Sequence, residues 1–122
     1  MIKLNTPTSP DVVTPTALGG NLYQFHYQYN GSTPENKRWY LDIYLGKKLL
    51  IAGLKLIDGF PLLSKYSLVD FNHGELYVIK FKETDSVVGR DNLGIGKEYS
   101  LVYISNDEIE GDFNEWSLWA WL

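Results

Sequence analysis

The sequence predicts a small all-β domain, and three observations carry that expectation. Apolar and aromatic residues alternate with polar ones in several short runs, the period of a half-buried strand. Clusters of Gly, Pro, Asn, Asp and Ser separate these runs, and no long segment repeats every 3.6 residues. Aromatic residues make up 15% of the chain, a share that suits pleated surfaces and contact-making.

The elements follow in order. Pro7, Pro10 and Pro15, among Thr, Ser and Val before Gly19 and Gly20, deny a helix and are expected to interrupt a ladder. Residues 1–21 therefore read as an extended Pro-rich arm lying along the body or along a neighbour. From Leu22 the alternation is regular, with Tyr23, Phe25, Tyr27 and Tyr29 on one face and Gln24, His26 and Gln28 on the other. After the turn-rich Asn30–Lys37 stretch, Trp39, Leu41, Ile43 and Leu45 share a face opposite Tyr40, Asp42 and Tyr44. Gly46-Lys47 reads as a hairpin tip. The run Lys48–Ala52 is apolar enough to be expected buried on both faces, and Gly53 divides it from a further short strand, Leu54–Ile57.

Asp58-Gly59 is a turn, and Phe60–Tyr66 is the one stretch suited to a single helical turn. His73-Gly74 reads as another turn. Glu75–Lys82 is a strand, residues 83–97 are loop-like, and Tyr99, Leu101 and Tyr103 alternate through a last strand. About six short strands make an antiparallel barrel or a sandwich, a choice the pattern leaves open. The expected organisation is the arm, a β domain over residues 22–104, and a C-terminal tail over residues 105–122.

At 122 residues the chain has room for one domain with a core. It holds no cysteine, which excludes a disulfide scaffold and any thiolate zinc site. No apolar run approaches the ~18 residues of a membrane span, and the first residues lack a signal-peptide core. Synthesis in a cytoplasm, with no membrane partner, is expected. A net charge of −4 argues against a phosphate-tracking nucleic-acid binder. Asp107, Glu108, Glu110, Asp112 and Glu115 crowd the tail without a base, and the remainder is close to neutral.

Catalytic chemistry is thinly represented. His26 and His73 are far apart and in no metal-ligand spacing. Asp42, between two tyrosines, is expected to pair with a Lys or Arg. Gly94-Ile95-Gly96-Lys97 lacks the strand–loop–helix setting of a phosphate loop. The chain is not read as an enzyme, and no cofactor or metal is expected.

Two features invite binding. Tyr40, Tyr44 and Trp39 are candidates for stacking on sugar rings, although Trp39 shares a face with Leu41 and Ile43 and reads more readily as core. The tail holds three of the four tryptophans in its last seven residues. Phe113, Trp116, Leu118, Trp119, Trp121 and Leu122 are the candidate partner-binding residues, since Trp is enriched at interface hot spots. The same segment also reads as a last piece of the core; either way, three exposed tryptophans would invite aggregation.

The segment Trp39-Tyr40-Leu41-Asp42-Ile43, followed by Gly46, Leu49, Gly53, Leu56, Gly59, Leu62-Leu63 and Tyr66, resembles the baseplate plug proteins of contractile-tailed bacteriophages. Gly74, Leu76, Val78, Leu93-Gly94 and Leu101-Val102-Tyr103 extend the resemblance, which spans about Leu22 to Ile104. It departs at Leu45-Gly46-Lys47, where members place an acid before the glycine, and in the Trp-rich tail. The resemblance implies a structural protein of the virion, made in the host cytoplasm and packed near the junction of tube, hub and spike. Its partners would be other tail proteins (tube, hub, spike or wedge), with multiple copies in a larger assembly. A carbohydrate-binding domain of a receptor- or wall-recognising component is the alternative, and an enzyme accessory domain a weaker third.

Overall fold

A computed structural model describes residues 1–31, 33–66 and 68–108. The candidate tail residues Phe113, Trp116, Leu118, Trp119, Trp121 and Leu122 lie outside the described residues. The strands are β1 (Ile2–Lys3), β2 (Asp11–Leu18), β3 (Asn21–Asn30), β4 (Arg38–Leu45), β5 (Lys48–Lys55), β6 (Gly74–Lys80) and β7 (Tyr99–Ser105). Every ladder is antiparallel. They form a three-stranded sheet, β1-β7-β6, and a four-stranded meander, β2-β3-β4-β5. The two ladders stay separate and share one core, so the arrangement is a sandwich.

The alternating faces predicted for β3 and β4 supply the largest fully buried side chains of that core. Tyr23, Phe25, Tyr27, Leu41 and Ile43 are fully buried and Trp39 nearly so, because Tyr27 sits opposite Leu41 and Phe25 opposite Ile43 in register. Leu76 and Val78 of β6 and Tyr99, Leu101 and Tyr103 of β7 close over them. Each such side chain contributes about 1.5–3 kcal/mol when fully buried. Burial raises the Tyr27 hydroxyl far above the ordinary tyrosine range. Trp39 donates its indole N–H to the Gly89 carbonyl at 3.0 Å and so ties the long loop after β6 to the core.

Three local expectations change. The Pro-rich segment is extended, but it ladders: all of β2 pairs with β3, Pro15 opposite Gln24. β2 is an edge strand, the position in a sheet that tolerates a proline. Gly53 does not end a strand either. Between the pairs Leu41↔Leu54 and Ile43↔Ile51, β5 carries an extra residue, and Gly53 holds φ +69° there, the left-handed conformation that a bulge asks of one residue. Lastly, the Lys48–Ala52 run is not buried on both faces. β5 is the outer strand of the meander, Leu49 is 47% exposed, and Leu50 and Ile51 are half-buried. The helical turn expected near Phe60 is present as a short 3-10 turn at Ser64–Tyr66.

His73, read as a turn residue, joins the sheets. Its ring lies 4.7 Å from Phe71 and 5.5 Å from Tyr103. Tyr23 donates its hydroxyl proton to the Asp70 carbonyl at 2.9 Å, leaving its lone pairs for His73 Nε2 at 2.7 Å. Nε2 therefore carries the ring proton, and Nδ1 accepts from the Tyr103 hydroxyl at 2.6 Å. One neutral imidazole thus links β3 to β7, and burial holds its pKa below the ordinary histidine value.

The described chain ends in a helical turn at residues 106–108. Ser105 Oγ accepts from the Glu108 N–H at 3.3 Å and Glu108 Oε1 accepts from the Ser105 N–H at 3.2 Å, the reciprocal pair of a capping box. Glu108 also holds the N-terminal ammonium of Met1.

Two outcomes are expected. Gly19 has φ +58° and a Cβ there would lie 2.5 Å from the His73 ring, whereas Gly20, at φ +82°, faces open space. Gly20→Ala should cost about 1–2 kcal/mol for the left-handed backbone, and Gly19→Ala clearly more, as measured by urea unfolding. As pH falls, the unfolded chain takes up the His73 proton first. Stability is therefore complete above the ordinary value near 6.5 and declines as pH drops through the lowered folded value. Urea midpoints from pH 7.5 to 5 should show this decline, and His73→Gln should flatten it.

Candidate functional site

Strand β5 and the segment that follows it build an apolar groove at the surface. Leaving β5, the chain bonds back to the meander through Leu56 N–H to the Trp39 carbonyl at 2.9 Å. Two residues later Asp58 bridges Val78 of β6 in parallel. This crossing carries Ile57–Leu63 along the open side of β6, where Leu62 N–H donates to the Leu76 carbonyl at 3.0 Å. The buried Glu75 carboxylate secures the same segment, accepting from the Leu63 N–H at 2.7 Å and from its neighbour Leu76 at 2.9 Å.

The crossing leaves a groove of about 520 Å³ beside β5, lined by Leu54, Ile57, Phe60, Pro61, Leu62 and Tyr66. Leu54 and Leu62 are nearly buried and form its floor, while Phe60 is 61% exposed on its rim. The outer side of β5, unpaired among the described strands, runs alongside; the strand carries Leu49, Leu50 and Ile51 with Lys48 and Lys55 at its ends. Lys48 pairs with Asp70 at 2.6 Å. An outer strand of this kind presents free backbone donors and acceptors with apolar side chains beside them, the requirements for adding a strand or loop from another chain.

The polar face of the meander is built differently. Asp42 of β4 lies directly opposite His26 of β3, and Asp11 of β2, opposite Gln28, reaches His26 on the diagonal. His26 Nε2 lies 2.5 Å from Asp11 and Nδ1 lies 3.4 Å from Asp42. The other oxygen of Asp42 accepts the Gly53 N–H at 2.7 Å and so holds the bulge. The expected Lys or Arg partner of Asp42 is thus a histidine and a backbone amide, because the neighbouring strand, remote in sequence, presents His26 first. The two carboxylates bind opposite sides of the imidazole and do not converge on one point. Accordingly, no cluster of three or more His, Asp or Glu among the described residues could hold a metal ion.

Of the aromatic residues weighed for sugar stacking, Trp39 is 1% exposed and committed to the core; Tyr40 and Tyr44 are half-buried on the polar face. No helix among the described residues is long and apolar enough to cross a membrane. The β5 groove escaped sequence reasoning because residues from 49 to 66 meet there only after the crossing; its one legible sign was an apolar run unusually free of charge.

The chain matches the model of the cyanophage baseplate Pam3 plug gp18 family over residues 1–107. It belongs to that family. The plug-family match takes in the Pro-rich N-terminal segment as well as the strands and ends at residue 107, before the tryptophans of the tail. No curated protein matches.

A surface kept for contact rather than for folding should tolerate change. Leu49→Lys and Phe60→Ser are expected to shift unfolding free energy by no more than about 0.5 kcal/mol, whereas Leu54→Ala on the groove floor should cost about 2–5 kcal/mol. Urea titration of the three variants checks this contrast.

Proposed function

We propose that this protein is a structural component of a contractile-tail baseplate, packed near the junction of tube, hub and spike and acting through protein–protein contacts. Membership of the plug family across residues 1–107 carries the reading. The open β5 edge with its groove supports it, since that surface offers a neighbouring tail protein both strand hydrogen bonds and an apolar seat. The tail residues Phe113, Trp116, Leu118, Trp119, Trp121 and Leu122 are the second proposed contact. Turnover forms no part of this role. Both ring nitrogens of His26 and of His73 are engaged in bonds that hold strands together. The protein would reside in the virion tail baseplate, in multiple copies, after synthesis in the host cytoplasm.

Quantitative mass spectrometry of purified particles should find this chain at a fixed copy number well below that of the tube protein. Complementation with Leu49→Lys/Phe60→Ser should lower its incorporation about fivefold or more, as expected for loss of an interface anchor. Absence of the chain from intact particles would end the reading. Normal incorporation of the double variant would remove the β5 edge from it.

A further inference from the structure

The β5 edge carries a charge pattern that the fold itself does not use. From Gly46 to Ile57 the sequence has three lysines and no acid, in a chain whose net charge is −4. Lys47 and Lys48 stand at one end of the strand and Lys55 at the other, all of them exposed. Asp70 answers Lys48 at 2.6 Å, but Lys47 and Lys55 form no ion pair among the described residues. Among the described residues that line the groove, Lys55 alone is charged. The next acid along the chain, Asp58, bridges Val78 of β6.

We propose that β5 takes up an extended segment of a different protein, apolar at its centre and carrying a carboxylate near each end. Backbone bonds to the outer side of β5 add the segment to the four-stranded meander as a further strand. Its side chains on the face shared with Leu54 enter the groove over Leu54 and Leu62. Its end carboxylates meet Lys47 and Lys55, where no other acid competes. Eight residues of strand span about 26 Å, so the two cations suit a segment as long as β5. Acids at both ends satisfy the lysines whichever way that segment runs.

The same lysines turn away a second copy of this chain. Antiparallel pairing of two β5 strands along their length brings the Lys47–Lys48 end of each against the Lys55 end of the other. Like charges so placed oppose pairing. A segment with acids at those places meets attraction instead, so charge separates the foreign strand from the copy. That the segment belongs to a tail protein rests on the proposed function; its chemistry does not.

The probe is a pair of synthetic peptides the length of β5, with blocked termini and Thr alternating with Val and Phe at the centre. One carries Glu at each end, the other Lys. Fluorescence anisotropy with the full chain should show saturable binding of the Glu peptide and binding of the Lys peptide weaker by about tenfold or more. Lys47→Glu/Lys55→Glu should reverse that order. Phe60→Ser should weaken the Glu peptide about fivefold and keep the order. Should the double variant not fold, salt serves in its place. Raising it to about 1 M, where the Debye length is about 3 Å, should bring the two affinities together.

No saturable binding of the Glu peptide, equal affinity for both peptides, or an order unmoved by the charge reversal or by salt would overturn the proposal. So would a dimer of the unaltered chain, seen by sedimentation, that Leu49→Lys dissolves, because a second copy would then own the edge. These measurements use the isolated protein. Absence of the chain from particles would therefore end the proposed function and leave the peptide preference standing.

Discussion

One apolar face, shared by β3 and β4, organises the molecule. Tyr23, Phe25 and Tyr27 alternate on one strand; Trp39, Leu41 and Ile43 alternate on the next, and the register sets them in cross-strand pairs. Such a face is untenable in water, and β6 and β7 are the layer that removes it. The polar devices follow from the same packing. The His73 imidazole bonds a tyrosine from each sheet at the end of the core, and Trp39 holds the Gly89 carbonyl at 3.0 Å. Among the described residues no buried side-chain nitrogen or oxygen lacks a partner, so the sandwich closes without stranding a polar group.

The same physics explains what the amino-acid sequence disclosed and what it withheld. The alternation of β3 and β4 was legible because each strand has one wet and one dry face. β2 was not, since Thr14, Pro15 and Thr16 belong equally to an arm; what makes them a strand is the complementary edge of β3. The exposure of β5 was hidden for a similar reason. An apolar run signals burial only when a neighbour exists on each side, and β5 has β4 on one side alone among the described strands. The contacts of His26 with Asp11 and Asp42 required three strands brought together. The Ser105–Glu108 box, by contrast, stood in the sequence at its usual spacing, masked by the acidic run around it. The β5 groove was not legible, because its lining residues converge only in the fold, and the tail contact stands as a proposal from the sequence.

For a protein of the baseplate plug family, this distribution of order is coherent. The core and its aromatic clasp are committed to a rigid sandwich, while the apolar strand at the rim of the meander stays available. Edge strands are ordinarily blunted by charge, proline or a bulge. β2 carries the proline and β5 the bulge at Gly53, with lysines at both its ends. These features discourage indiscriminate pairing without abolishing an apolar seat, a balance suited to a subunit that must stay dispersed until it meets the right neighbour.

The order in which the strands are made has its own consequence. The meander is contiguous, from Asp11 to Lys55, and can zip up from nearby residues. The second sheet cannot, because among the described strands its middle one is the last in the sequence and one of its flanks the first: Ile2 waits for Tyr103. Until translation reaches Ser105, the aromatic face of β3 and β4 has no lid, and an interrupted chain remains a sticky half-sandwich exposed to proteases and chaperones. Synthesis through β7 is thereby coupled to concealment of the core.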